Sequence, residues 1–170
     1  MNSRERALAA LNHQEPDRVP LDFGGRHTTL HLYAHESLMQ HLGLNGPKPP
    51  IRSYHTYLVE PDPQLLNRFE RVTAMFFPKP PSSYVFRIDP ETNTYFDEWG
   101  TKYHMPPNGY YFDMAGVPLP DAETEADLNK YPWPDPKDRS RIAGLTEQIK
   151  AAHAAGEKVL MLCNATPGLW

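Results

Sequence analysis

Two side chains suited to binding an anion follow a glycine pair near the amino terminus. Arg26 and His27 come directly after Gly24 and Gly25, at the end of a short apolar stretch. Arginine offers a permanent cation with a fork of donors, and histidine is the side chain whose charge changes near neutral pH. Many α/β enzymes place a site where a strand ends in such a loop. The stretch predicts a substrate-binding loop, with an ordinary strand–turn–helix connection as the alternative.

Two further polar residues are candidates because they stand at or near the ends of apolar segments. Asp22 lies near the end of the first segment, where an inward carboxylate is costly unless it is paired or functional. Asn164 directly follows the last apolar segment and is a candidate lining residue. Cys163 precedes it and is interpreted as a small buried hydrophobe. These four candidates (Asp22, Arg26, His27 and Asn164) are assigned to substrate binding, and no catalytic residue is assigned.

A row of histidines invites a metal hypothesis. His27, His31 and His35 are spaced four apart, which would stack them along one face of a helix. Two such histidines can bind zinc only with further ligands from elsewhere, and the HExxH pattern is absent because Ser37 follows Glu36. The row also flanks the apolar positions expected to face the core, which are Leu30, Ala34, Leu38 and Leu42. The sequence therefore predicts no metal site within this chain.

The amino-terminal third predicts a helix, a strand and a second helix. Residues 3–12 form a helix capped by Ser3, and residues 18–23 alternate apolar and polar side chains as a strand does. Thr28 or Thr29 caps the next helix, which Gly43 terminates. Residues 44–61 are expected to form a long loop. These elements put the glycine pair between a strand and a helix.

The rest of the chain alternates apolar strands with helices, with one interruption. Asp62 and Pro63 open a short helix, and residues 72–77 form an apolar strand. Aromatic-rich runs at 84–114 predict antiparallel hairpins. A short helix begins at Thr124, a longer one runs from Asp138 to Gly156, and residues 158–163 form a third strand. Three apolar strands separated by helices predict an α/β fold with a parallel sheet, into which the hairpins are inserted.

Composition excludes several classes of protein. The 170 residues carry a net charge of −4, which gives no support to a nucleic-acid partner. The single cysteine excludes an internal disulfide. The sequence contains no run of 18 apolar residues, so neither a membrane span nor a membrane partner is expected. No signal peptide is recognisable, so a cytoplasmic location is expected. The 19 prolines separate the patterned segments and predict a folded chain rich in loops.

Several stretches, taken in order, resemble one family. The opening NSRERALAALNHQEPDRVPLDFGG resembles the start of proteins in the uroporphyrinogen decarboxylase superfamily, which includes the corrinoid-dependent methyltransferases. Further similarity lies in LGL at 42–44, LLNRF at 65–69, FPKPPS at 77–82, DEWGT at 97–101 and YPWPDP at 131–136. The resemblance covers all 170 residues. It depends on the order and spacing of these pieces, since no single piece is diagnostic.

The resemblance implies the fold and the place of the site. The family fold is a (β/α)8 TIM barrel of about twice this length, so the chain is expected to be its N-terminal part, with about three parallel strands and the 84–114 hairpin insertion within one domain, 1–170. The family site lies at the carboxyl ends of the strands. In this chain that means the segments after Phe23, Phe77 and Cys163.

The resemblance also implies a reaction. The decarboxylase branch binds its substrate's propionates with an Arg-Gln-x-x-x-Arg-like stretch, whereas this chain has only Arg26 there, and no Asp counterpart follows the second strand. The interpretation is therefore a corrinoid (cobalamin)-dependent methyltransferase-type protein that transfers a methyl group to a thiol. Zinc and a corrinoid protein would belong to the full-length protein, whose zinc ligands lie in the C-terminal half, and a small anionic molecule would be its substrate.

Two alternatives remain. One is uroporphyrinogen decarboxylase activity in porphyrin biosynthesis, a lyase reaction. The other, of a different class, is a truncated and catalytically inactive piece that at most associates with the missing C-terminal half of the barrel. Under that alternative the isolated chain is expected to be poorly soluble, because open barrel edges expose apolar surface.

Overall fold

The computed structural model describes residues 1–163, which divide into two compact units. The first unit comprises Met1–Ser53, Leu58–Pro78 and residues 142–163, and the second comprises Tyr54–Tyr57 and Lys79–Arg141. In the first unit the order is α1 (Ser3–Leu11), α2 (Leu32–His41), β1 (Ile51–Ser53), β2 (Leu58–Val59), α3 (Pro63–Arg68), β3 (Thr73–Phe76), α5 (Leu145–Ala155) and β7 (Val159–Leu162). The second unit holds β4 (Thr94–Phe96), β5 (Lys102–His104), β6 (Asp113–Gly116) and α4 (Glu125–Lys130).

The parallel sheet of the first unit consists of β3 and β7. Thr73 pairs with Val159 and Phe76 with Leu162, so the two strands run in one direction and end at the same edge. The sequence predicted both strands, and the structure confirms them and their parallel pairing. The strands are only partly buried, since Leu162 is 66% exposed. The described strands do not close a barrel.

The first of the three predicted parallel strands, residues 18–23, is not formed, so that prediction is wrong. This segment makes a single bridge, Asp22 to Arg71, and that bridge is antiparallel. The backbone N–H of Phe23 donates to Glu70 O at 2.9 Å, and that of Val72 donates to Leu21 O at 3.1 Å. Pro20 has no N–H to extend a ladder, which limits pairing to the residues after it. The segment thus pairs antiparallel with the residues just before β3 instead of joining the parallel sheet.

The caps of the first two helices differ from those predicted, although α1 begins at Ser3, within the predicted range 3–12. Asn2 caps α1, forming a capping box with Glu5, so the cap is not Ser3. His31 caps α2, since its Nδ1 accepts from Tyr33 N at 3.2 Å. The threonine hydroxyls predicted to cap α2 are engaged elsewhere: Thr28 donates to Asp22 O and Thr29 to Val59 O. Polar groups that serve the loop are not available to the helix.

Helix α2 also buries a different face from the one its leucines suggest. Its buried residues are Leu32, His35 and Met39, whereas Ala34 is exposed. The predicted terminator is confirmed, because Gly43 follows the helix with φ +65°. The loop predicted at 44–61 contains a short hairpin, since β1 and β2 pair antiparallel. A core of fully buried side chains lies beneath these elements: Leu32, His35, Val59, Pro61 and Leu65.

The second unit confirms the antiparallel hairpins. Strands β4, β5 and β6 form a three-stranded sheet, with Tyr95 opposite Tyr103 and His104 opposite Asp113. The run at 84–88 forms no strand. The rings of Tyr95 and Tyr103 stack at 4.9 Å and pack with Phe112 as the core of this unit. Aromatic pairs across neighbouring strands are the contacts that stabilise such small sheets.

The remaining helices show how local signals determine their ends. Thr124 caps α4 in a capping box with Asp127, and Asp62 with Pro63 opens α3, both as predicted. Asp138 does not open the long helix, because its carboxylate accepts from Ser140 N and precedes a 3₁₀ turn at Arg139–Ile142. Helix α5 starts after Gly144, at φ +77°, and Gly156 ends it as predicted. No helix within residues 1–163 is long and apolar enough to cross a membrane.

A buried histidine in α2 makes stability depend on pH. His35 Nε2 accepts from Asp62 N at 3.0 Å, which requires the neutral ring. Burial lowers the pKa of His35, and the charges of Asp62 and Glu36 only partly oppose this. The unfolded chain therefore binds the proton more readily, so this contribution to stability is present above about pH 6.5 and is lost as the pH falls.

We expect the thermal unfolding midpoint to fall by about 3 °C between pH 7.5 and pH 5.5 on account of His35. In His35→Gln, which does not titrate, that fall should largely disappear. His41→Gln, at the exposed end of the same helix, is the matched control and should keep it. Equal pH dependence in all three proteins would contradict the assignment.

Candidate functional site

The carboxylate of Asp22 anchors the first candidate loop to β3. Its Oδ1 accepts from the backbone N–H of Thr73 at 3.2 Å and from the Thr73 hydroxyl at 2.7 Å. The sequence argument that this carboxylate must be paired or functional is met by pairing. Because Asp22 holds the chain just before Gly24 and Gly25, it positions the glycine loop against the parallel sheet.

The glycines are needed where they stand. Gly24 has φ +75°, a conformation that side chains disfavour. A Cβ on Gly25 would overlap the carboxylate of Asp22 and the hydroxyl of Thr28. The Gly25 N–H donates to that hydroxyl at 3.0 Å, and the hydroxyl donates to Asp22 O. The loop is therefore closed on itself by short-range hydrogen bonds, with no space for a side chain at Gly25.

Arg52, from strand β1, fixes the outer side of the same loop. Its Nη1 donates to Gly25 O at 3.0 Å and to Gly24 O at 3.2 Å. Arg52 also pairs with Glu60, whose second oxygen lies 2.8 Å from Arg71 Nη1. One carboxylate is thus shared by two guanidinium groups. The sequence did not predict this charge pairing. Arg52 and Glu60 lay in the segment 44–61 assigned to a loop, and Arg71 stood just before the strand predicted at 72–77. The only available signal was a lone arginine beside a short apolar run.

These groups line a cleft of about 400 Å³ within the first unit. Its lining combines charged and apolar side chains: Arg52, Glu60, Arg71, Ile51, Met75 and Phe77. The guanidinium of Arg52 lies 5.6 Å from the centre of the Phe77 ring, and that of Arg26 lies 6.0 Å from it. Cations over an aromatic face are favourable contacts. The segment after Phe23 therefore meets Phe77, the last residue of the strand predicted at 72–77.

The electrostatics of the cleft favour an anion. Burial lowers the pKa of Arg52, and the nearby charge of Arg71 lowers it further, while Cys163 and Asp22 act in the opposite direction. Burial likewise lowers the pKa of Arg71, with Asp22 opposing it. Two cations that are poorly solvated and close together gain from any additional negative charge. The charge and lining of the cleft are therefore those of a site suited to an acid, with Glu60 already between the two cations.

The other sequence candidates occupy different positions. His27 is exposed on the glycine loop and does not line the cleft. Cys163 is buried, and its N–H donates to Phe76 O at 2.9 Å, which continues the β3–β7 pairing. Asn164 lies outside the described residues. Asp22, Arg26 and His27 are thus not among the residues that line the cleft, and Arg26 approaches it only by lying over the ring of Phe77.

The histidine row does not form on one helix. Helix α2 begins at Leu32, so His27 and His31 precede it and only His35 lies within it. Within residues 1–163, no three His, Cys, Asp or Glu side chains are grouped so as to hold a metal ion.

The fold and the cleft define a mixed α/β protein with a parallel strand pair, separate antiparallel sheets, and an arginine-lined cleft beside a glycine loop. Comparison with protein-family models, curated proteins and solved structures found no match for this chain.

Proposed function

We propose that this chain is the N-terminal part of a barrel enzyme of the uroporphyrinogen decarboxylase superfamily, of the corrinoid-dependent methyltransferase type, with a small anionic substrate. The observation that carries the proposal is the meeting of the glycine loop with the end of β3, where Arg26 lies over Phe77. A barrel enzyme forms its site at the carboxyl ends of parallel strands, and the end of β3 is such a position.

The role of this chain's residues in that proposal is recognition. Arg26 supplies a cation at the end of β3, and Asp22 holds the glycine loop through Thr73. Zinc, when bound in proteins of this type, activates a thiol as the methyl acceptor. Under this proposal the zinc ligands belong to the C-terminal half of the barrel, and the residues of this chain bind and orient the substrate. Substrate orientation and exclusion of water are the tasks left to the cleft.

A kinetic comparison tests the proposal. The protein, expressed from the whole reading frame, should transfer a methyl group from methylcobalamin to a thiol, and Arg26→Ala should raise KM for the anionic substrate about tenfold with a smaller effect on kcat. Arg87→Ala, at an exposed position of the second unit, is the matched control. Carboxyl loss from uroporphyrinogen without methyl transfer would replace the proposal with the decarboxylase alternative, and neither activity would refute both.

A further inference from the structure

We propose that the cleft recognises the carboxylate of a small organic acid with an apolar body, and that Glu60 is the chain's own carboxylate occupying that position until the acid displaces it. The proposal concerns binding and holds whichever reaction the protein catalyses. It goes beyond the role of Arg26 because it assigns binding of the ligand carboxylate to Arg52, on β1, and to Arg71, two positions before β3.

A carboxylate already lies between Arg52 and Arg71, the two guanidinium groups that form a clamp. One oxygen of Glu60 pairs with Arg71 Nη1 at 2.8 Å and the other with Arg52 Nη2. A planar group with two oxygens therefore spans the two guanidiniums, which is the geometry that arginine pairs recognise. A tetrahedral phosphate would have to be accommodated by a clamp that now holds a planar group.

Glu60 is more exposed than either arginine, so Glu60 is the group that can leave the clamp and be replaced by a ligand. The side chain of Glu60 is 40% exposed, whereas those of Arg52 and Arg71 are only 13% and 19% exposed. Arg52 is also held by the carbonyls of Gly24 and Gly25. If Glu60 swings into solvent it is readily hydrated, but the two cations left behind are poorly hydrated and repel each other. An incoming carboxylate relieves that cost.

An unsatisfied donor supports a second acceptor in the clamp. Arg71 Nε is buried and has no hydrogen-bond acceptor among residues 1–163. Arginine carries five N–H donors, and a buried donor without a partner is unfavourable. If the Arg71 side chain turns toward an incoming carboxylate, this donor gains an acceptor that Glu60 does not provide.

The remaining walls fit an apolar body. Ile51, Met75 and Phe77 face the cleft, whose volume of about 400 Å³ is in the range of small-molecule sites. An aromatic or branched acid would place its apolar part on Phe77 and its carboxylate between the arginines. Benzoate is the simplest probe with both features.

Removal of Glu60 followed by rescue with benzoate tests the proposal. In Glu60→Ala, sodium benzoate should raise the thermal unfolding midpoint by at least about 3 °C more than sodium chloride at equal ionic strength, and it should raise that of the unchanged protein less. Glu147→Ala, at an exposed position of α5 with the same change in charge, should respond as the unchanged protein does. Equal responses in Glu60→Ala and Glu147→Ala would overturn the proposal.

Two additional measurements keep the test decisive. If Glu60→Ala does not fold, calorimetric titration of Glu60→Gln with benzoate should give a dissociation constant at least about tenfold below that of the unchanged protein. An unchanged constant would overturn the proposal. Phenyl phosphate is the second arm: weaker binding than benzoate supports the carboxylate assignment, and equal or tighter binding overturns it.

Discussion

Arg141→Met should destabilise the second unit by about 3–5 kcal/mol, because it leaves a buried carboxylate without its cation. Glu98 has a side chain only 4% exposed, and Arg141 holds both of its oxygens, through Nη2 at 2.5 Å and Nη1 at 3.3 Å. The carbonyl of Arg141 also accepts from Lys79 N at 2.8 Å, so the side chain is positioned by a backbone contact that the substitution retains. The loss is therefore electrostatic and not a general disruption of the turn.

Urea unfolding measured by amide hydrogen exchange within residues 94–116 would report the free energy of this unit. Arg139→Met removes an exposed arginine from the same 3₁₀ turn and should change that free energy by less than about 0.5 kcal/mol. The double variant Glu98→Met with Arg141→Met should recover much of the loss, since two apolar side chains replace a buried ion pair at little cost. A loss in Arg141→Met no larger than that of the Arg139 control would show that the pair adds nothing.

Arg6→Met should have the largest effect on the first unit. Arg6 is buried on α1, where its Nε and Nη2 contact the two oxygens of Asp17 at 2.6 and 2.9 Å and its Nη1 pairs with Glu70. The Ser3 hydroxyl donates to Glu70 at 2.7 Å. One guanidinium thus joins the first helix to the segment before the glycine loop and to Glu70, three positions before β3. We expect a fall of about 10 °C in the thermal unfolding midpoint.

Acid provides an independent readout of the same network. The hydrogen bond from Arg6 holds the pKa of Asp17 well below its usual value. Burial alone would raise the pKa of Glu70, but the Ser3 hydroxyl and the charges of Arg18 and Arg6 lower it on balance. Both groups therefore stabilise the fold above about pH 4, and their contribution is lost as the pH falls further.

The difference in unfolding midpoint between the unchanged protein and Arg6→Met should consequently shrink as the pH is lowered from 7 to 3. Arg4→Met, an exposed arginine on the same helix, should show little difference at either pH. A difference for Arg6→Met that stays constant down to pH 3 would indicate that packing of the aliphatic stem, and not the ion pairs, accounts for the loss.

Elements that depend on caps, glycine terminators or periodicity within one segment could be predicted from the sequence alone. Asp62 with Pro63 opens α3, Thr124 caps α4, and Gly156 ends α5. The apolar runs became β3 and β7, and the aromatic runs became an antiparallel sheet. Each of these outcomes depends on a side chain satisfying a backbone group a few residues away, or on a periodicity within one segment. Such interactions are nearly independent of the rest of the fold.

The hydrogen bonds between polar groups that are far apart in the sequence could be known only from the tertiary structure. Arg52 contacts Gly25, 27 positions away, and Asp22 contacts Thr73, 51 positions away. Because Thr28 bonds within the glycine loop, it cannot cap α2, and because the 18–23 segment pairs antiparallel with Arg71 at Asp22, it does not join the parallel sheet. A buried polar group takes whichever partner the folded chain brings to it, and the spacing of residues does not encode that choice. The glycine loop was therefore predictable from the sequence, whereas the two-arginine cleft beside it was not.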